Sequence, residues 1–289
     1  MATAVRLPPE IIDLEDYTET MNWLLFGHMG SGKTVVAGKL PGRVLILANE
    51  KGTIAAKRQG SKAKVWKIRT WEDLVAAYEW LANLEVIPFD WVVIDSITDM
   101  QYKCIRWIMR NVVNANPTRD EDIPAQGDHF KWQLSMKRMV ADFNELPVNM
   151  FWTAQEMVRE DPEGDDIILP LIEGKDYQIS SWVCAQMDVV AHLANKTVKK
   201  RVDGKVEKVF VRRMTLNESP PIFAKDRYDV LGRVVDNPDI GELIQKILDS
   251  ETGRPPARKP ASRSAARAGA TKRTTAAKKT AASRRRVSV

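Results

Sequence analysis

Four short apolar runs punctuate the body of the chain: Trp23–Phe26, Val44–Leu47, Trp91–Ile94 and Val148–Trp152. Each is continuous rather than alternating, the pattern of a strand covered on both faces in a parallel sheet. Between them the hydrophobic period lengthens to that of helices. Thr70 opens one such segment with Asp73 three residues on, a variant of the capping box, and Leu74, Ala77, Leu81 and Leu84 then share one face. Alternation of strand and helix predicts an α/β fold, a mostly parallel twisted sheet with helices on both faces. Further along, Thr197–Val202 and Lys205–Val211 flank Asp203-Gly204, the signal of an antiparallel hairpin. A last helix is expected over Asp239–Leu248, and no internal repeat is visible.

These patterns divide the chain into an N-terminal extension (1–20), a folded core (21–250) and a tail (251–289). The tail is built from Ala, Arg, Lys, Ser, Thr and Pro and buries too little apolar surface to fold, so disorder is expected there. Charge sharpens this division. Twelve of the 44 Lys/Arg and none of the 38 Asp/Glu fall in 254–289, so the net +6 is an acidic body of −6 carrying a tail of +12. Such an arm can neutralise phosphates of nucleic acid without sequence preference.

Composition also excludes some classes. No apolar run approaches the roughly 20 residues of a membrane-spanning helix, and the N-terminus lacks the basic and apolar regions of a secretory signal. Two cysteines, Cys104 and Cys184, and three histidines make neither a disulfide framework nor a zinc cluster. A reducing, cytoplasmic setting is expected.

The chemistry sits at the strand ends. Gly27-His28-Met29-Gly30-Ser31-Gly32-Lys33-Thr34 fits G-x-x-x-x-G-K-[ST] and lies between the first strand and a helix that opens with Val35. Glycines let the backbone wrap a phosphate chain with its N–H groups inward, Lys33 reaches the outer phosphates, and the Thr34 hydroxyl ligates Mg²⁺. Asp95 closes the third run, where a second magnesium-directed carboxylate belongs. Glu50 and Gln155 close two others. Because ligands of such sheets bind outside the carboxyl ends of strands, all of these residues should face one crevice. There Glu50 can orient or deprotonate the attacking water, and Gln155 can sense the terminal phosphate.

A P-loop, a Glu ending the next strand, a strand running into Asp95-Ser96 and a Gln ending a later strand resemble the RecA-like P-loop ATPase core. The resemblance spans about Asn22 to Ile247. It is nearest to the short phage-encoded proteins of the RadA/Sak single-strand-annealing group, AAA-type nucleotide-binding proteins of phages. It implies ATP and Mg²⁺ as cofactors, catalytic roles for Lys33, Glu50 and Gln155, and hydrolysis stimulated by single-stranded DNA. It also implies homo-oligomers with ATP at subunit interfaces, a bacterial-host cytoplasm, and a single-strand-binding protein as a further partner. Lys225-Asp-Arg227 resembles the KNRFG element of that branch and would contact the nucleotide of the neighbouring subunit.

One segment departs from the family. Its DNA-binding loop follows the Gln, but Glu156–Asp166 here is rich in acids with a single Arg159 and would repel phosphates. Arg106, Arg110, Arg119 and Lys131, or the tail, are better DNA contacts. Trp107 and Trp132 flank that region, though core packing is the expected role of most of the nine tryptophans. His129 and His192 read as isolated. The competing functions are a helicase or loader ATPase, a small-molecule kinase, and an ATP-ordered DNA-binding module with little turnover.

Overall fold

The four apolar runs are adjacent strands of one sheet in the computed structural model, which describes residues 20–49, 52–160, 163–174, 178–202 and 205–251. β1 (Asn22–Phe26) pairs in parallel with β5 (Asn149–Ala154), β5 with β4 (Trp91–Asp95), and β4 with β2 (Val44–Ala48). An edge strand that the hydrophobic pattern does not announce, β3 (Lys64–Lys67), adds in parallel beyond β2. Its KVWK is too short for a period to show, and flanking lysines suit a sheet edge. On the other side β8 (Val189–Val202) runs parallel to β1 and returns antiparallel as β9 (Lys205–Thr215). The expected hairpin is present but starts at Val189 rather than Thr197, because its first half is the buried strand beside β1. The turn itself, Asp203-Gly204, lies outside the described residues. β10 (Lys225–Asp226) pairs with β8 and β11 (Val234–Asp236) with β9, giving the order β11-β9-β8-β1-β5-β4-β2-β3.

Seven helices flank this sheet among the described residues: α1 (Lys33–Ala37), α2 (Thr53–Arg58), α3 (Trp71–Ala82), α4 (Ile97–Ala115), α5 (Gln126–Asn144), α6 (Gln178–Ala185) and α7 (Ile240–Glu251). Successive strand side chains alternate between two cores. Leu24, Phe26, Ile94 and Trp152 pack under α3, α4, α5 and α6, whereas Trp23, Leu25, Val93 and Phe151 pack with α1 and α7. The capping box forms at α3: the Asp73 amide donates to Thr70 Oγ1 (3.1 Å) and the Thr70 amide to Asp73 Oδ2 (3.0 Å). No described helix is long and apolar enough to cross a membrane.

The acidic stretch after Gln155 is not an open loop. It is a separate hairpin, β6 (Glu156–Glu160) with β7 (Asp166–Pro170). Its cross-strand pairs include Met157–Leu169 and Val158–Ile168, apolar neighbours between the acidic ends. The proposed N-terminal extension through residue 19 and the basic tail from residue 252 lie outside the described residues.

Trp152 shows how tightly the frame is packed. It is fully buried on β5, donates its indole N–H to Asn144 Oδ1 at 2.9 Å and meets the edge of Phe143. Trp152→Ala should cost about 3–5 kcal/mol. Urea unfolding measures this, and a loss under about 1 kcal/mol would mean that this layer is not a close-packed core.

Candidate nucleotide site

Parallel strands bring the carboxyl ends of β1, β2, β4 and β5 to one edge of the sheet, level with His192 in β8, and the P-loop leaves β1 there. Its first glycine cannot be replaced: a Cβ on Gly27 would lie 2.2 Å from the Leu193 carbonyl oxygen on β8. Gly32 holds φ at 102°, a left-handed conformation that glycine adopts without strain, and so turns the chain into α1. Within the loop the Ser31 amide donates to the His28 carbonyl (3.1 Å). Lys33 Nζ donates to the carbonyls of Gly27 (2.8 Å) and His28 (3.0 Å), so the ammonium sits inside the curl of the loop. His28 and Met29 are exposed at the tip, with His28 Nδ1 2.8 Å from the Met29 carbonyl. The Ser31 hydroxyl is buried with no hydrogen-bond partner among the described residues. An orphaned hydroxyl beneath a ring of loop amides fits a phosphate-binding cradle.

Thr34 Oγ1 donates to Asp95 Oδ2 at 2.8 Å, joining the first turn of α1 to the end of β4. The other carboxylate oxygen accepts from Thr153 Oγ1 on β5. Asp95 is 6% exposed, and its oxygens with the Thr34 hydroxyl are the hard donors that Mg²⁺ prefers. The Gln155 amide donates to Thr98 Oγ1 (3.0 Å), which fixes the end of β5 against α4.

A cavity of about 340 Å³ gathers most of the expected set. Met29, Gly30, Gly32, Lys33, Thr34 and Val35 form one wall; Asp95, Ser96 and Gln155 form another. Glu50 lies outside the described residues. Gly52, Ala55 and, on β9, Arg212 also line the cavity and were missed by sequence reasoning; Arg212 is the charged one. Its guanidinium carbon lies 3.1 Å from where a Cβ on Gly32 would stand. The Arg212 backbone is pinned by Asn237, whose Oδ1 accepts from the Arg212 amide (3.0 Å) and whose own amide donates to the Arg212 carbonyl (2.6 Å).

Lys225 and Arg227 do not join this cavity. Arg227 pairs with Asp188 (2.7 Å), whose carboxylate accepts from the Asn22 amide (2.8 Å) at the start of β1. Lys225 Nζ donates to the Met187 carbonyl (2.6 Å) and to those of Cys184 and Ala185 at the end of α6. Both therefore sit at the amino edge of the sheet, a strand length from their own P-loop. The two cysteines are buried thiols, each pushed up to about 12 by desolvation, and carry no nucleophilic role at neutral pH.

His192 is not isolated, contrary to its sequence context. It pairs in register with Phe26, immediately before the P-loop, and its Nε2 lies 2.7 Å from Glu156 Oε2. Burial pushes its pKa below the ordinary value, and Glu156 opposes that only in part. The unfolded chain therefore takes up a proton at a pH where the folded one does not, so stability falls as pH drops through about 6.5 and below. His192→Gln should remove that part of the acid sensitivity. Unfolding midpoints of parent and variant between pH 7.5 and 5 measure it; parallel pH profiles would show that His192 is not the titrating group.

No curated protein matches the chain significantly. A family profile described as an AAA domain matches residues 19–228, which takes in the P-loop, Asp95, Gln155 and the whole sheet apart from β11. By that match over most of its length, the chain belongs to the AAA domain family of P-loop nucleotide-binding ATPases.

Proposed function

We propose that the chain hydrolyses Mg·ATP at the Gly27–Thr34 loop and couples turnover to single-stranded DNA, as a RecA-like protein that anneals or pairs strands. The ATPase half follows from the family. The observation that best supports these particular residues is the 2.8 Å contact between Thr34 and Asp95, which are 61 positions apart in sequence. Lys33 and the loop amides hold the phosphates, and Thr34 with Asp95 holds the metal. When bound, Mg²⁺ offsets the charge that builds on the phosphate oxygens. Glu50 orients the water, and Gln155, tied to α4 through Thr98, reports the state of the terminal phosphate. Arg212 adds a cation from the same protomer.

Lys225 and Arg227 suit a contact to the next subunit's nucleotide by position, since they lie on the sheet edge opposite their own P-loop. The DNA half of the reading is supported by the +12 tail on an acidic body and by the order of motifs shared with RecA-like proteins. Phage recombination or replication is the setting that this resemblance implies.

Lys33→Ala should lower ATP turnover by about 10²-fold or more while the unfolding midpoint holds. Arg212→Ala should weaken ATP binding by about tenfold, the scale of one charge-assisted hydrogen bond. Both are read from steady-state hydrolysis with and without a single-stranded oligonucleotide. A Lys33→Ala protein that turns over at the parent rate would refute the site, and an ATPase indifferent to DNA would refute the coupling.

A further inference from the structure

A second crevice opens beside the nucleotide cavity, and the structure assigns it to a strand of single-stranded nucleic acid, with phosphates on Arg69 and Arg106 and a base on Trp107. The assignment rests on the single-strand reading above and gives it a place. The crevice encloses about 340 Å³ at the carboxyl ends of β2 and β3. Asn49, Arg69 and Thr70 form one wall, and a single stripe of α4 forms the other. Along that stripe Asp99, Lys103, Arg106 and Arg110 recur at helical spacing, while Met100, Cys104 and Ile108 bury the opposite face in the core.

The crevice is locally cationic although the body of the chain is acidic. Four cations line it against two acids, Glu72 and Asp99. Two of the cations are already engaged: Arg110 pairs with Glu72, and Lys103 with Asp99 (3.0 Å). Lys103 also reaches the Asn49 amide oxygen (2.9 Å) when that amide is turned to satisfy both of its ends. Arg69 and Arg106 are exposed and have no ion-pair partner among the described residues. Two unpaired guanidinium forks match phosphodiester oxygens. Half-buried Trp107 and exposed Tyr102 stand among them, offering ring faces on which any base can stack. An acidic peptide would use the cations but not the rings; a nucleotide strand uses both.

The crevice is joined mechanically to the ATP site. Ser96 lines the nucleotide cavity and caps α4, and Arg106 lies about 15 Å further along the same helix. Asn49, held by Lys103, immediately precedes Glu50. A strand drawn into the crevice bears on the helix that starts from Asp95 and on the strand end that carries Glu50.

The test uses the full chain. Anisotropy of a labelled oligo-dT at several salt concentrations is measured alongside ATP turnover with and without the oligonucleotide, and ATP binding checks that each variant is folded. The double variant Arg69→Gln, Arg106→Gln should make the slope of log affinity against log salt shallower by about 1.4, at about 0.7 per lost phosphate contact. Its ratio of stimulated to basal turnover should fall toward one. Arg106→Lys should recover most of the slope. Trp107→Ala should weaken binding by about tenfold without changing the slope, and Trp107→Phe should not. A double variant with the parent slope and stimulation would overturn the crevice while leaving the single-strand reading in place. A parent that binds no oligonucleotide would overturn both. Phosphoryl transfer from ATP to thymidine monophosphate, abolished by the double variant, would make the crevice an acceptor pocket and overturn the assignment.

Discussion

One hydrogen bond, Thr34 Oγ1 to Asp95 Oδ2, is the constraint to which the rest of the structure answers. It joins the first turn of α1 to the end of β4, and a shift of one residue in either would abolish it. The sheet prevents that shift. In β1 and β5 Phe26 stands opposite Ala154, and in β2 and β4 Ala48 stands opposite Asp95, so the strand ends are level. Each ladder is clamped between two cores, and slipping a strand by one residue would exchange its faces between them. Trp23 and Trp152, both fully buried, lie on opposite sides of the sheet and resist such an exchange. Packing at a distance thus sets the geometry of two oxygens.

What could be read from the sequence follows from this design. Buried parallel strands are continuous apolar runs, and the residues at their ends share an edge whatever the loops between them do. The P-loop, Asp95 and Gln155 were therefore legible as neighbours. Arg212 was not. It sits in FVRRMT, where alternation puts Arg212 and Arg213 on opposite faces, and which of them meets the P-loop depends on the register of the β8–β9 hairpin. A slip of one residue would swap them. The bonds to Asn237, made from a residue at φ 51°, decide the matter, and no local pattern encodes that contact. The Asp203-Gly204 turn signal, with strict alternation counted back from it, was the clue available. Lys225 and Arg227 follow the hairpin in sequence, yet the chain carries them to the opposite edge of the sheet.

Charge is arranged on the same scale. The body is acidic, yet both cavities are lined by cations: Lys33 and Arg212 at the nucleotide cavity, Arg69 and Arg106 at the crevice beside it. The two sites share α4, a 19-residue helix anchored by its Ser96 cap, with Asp99 accepting from Lys103 one turn on. Met100, Cys104 and Ile108 pack one face of this helix into the core. Within the proposed function, this rod is the shortest physical connection between hydrolysis and a bound strand.

The central claim is that Thr34 and Asp95 hold the metal of a nucleotide site. Calorimetric titration of ATP into the full chain, with Mg²⁺ and with chelator, tests it most directly when repeated on Asp95→Asn. The substitution keeps the shape of the side chain and an oxygen for Thr34 but removes the charge. Mg²⁺ should tighten ATP binding to the parent and no longer do so in the variant, while affinity in chelator is retained. An equal gain from Mg²⁺ in both proteins would contradict the claim.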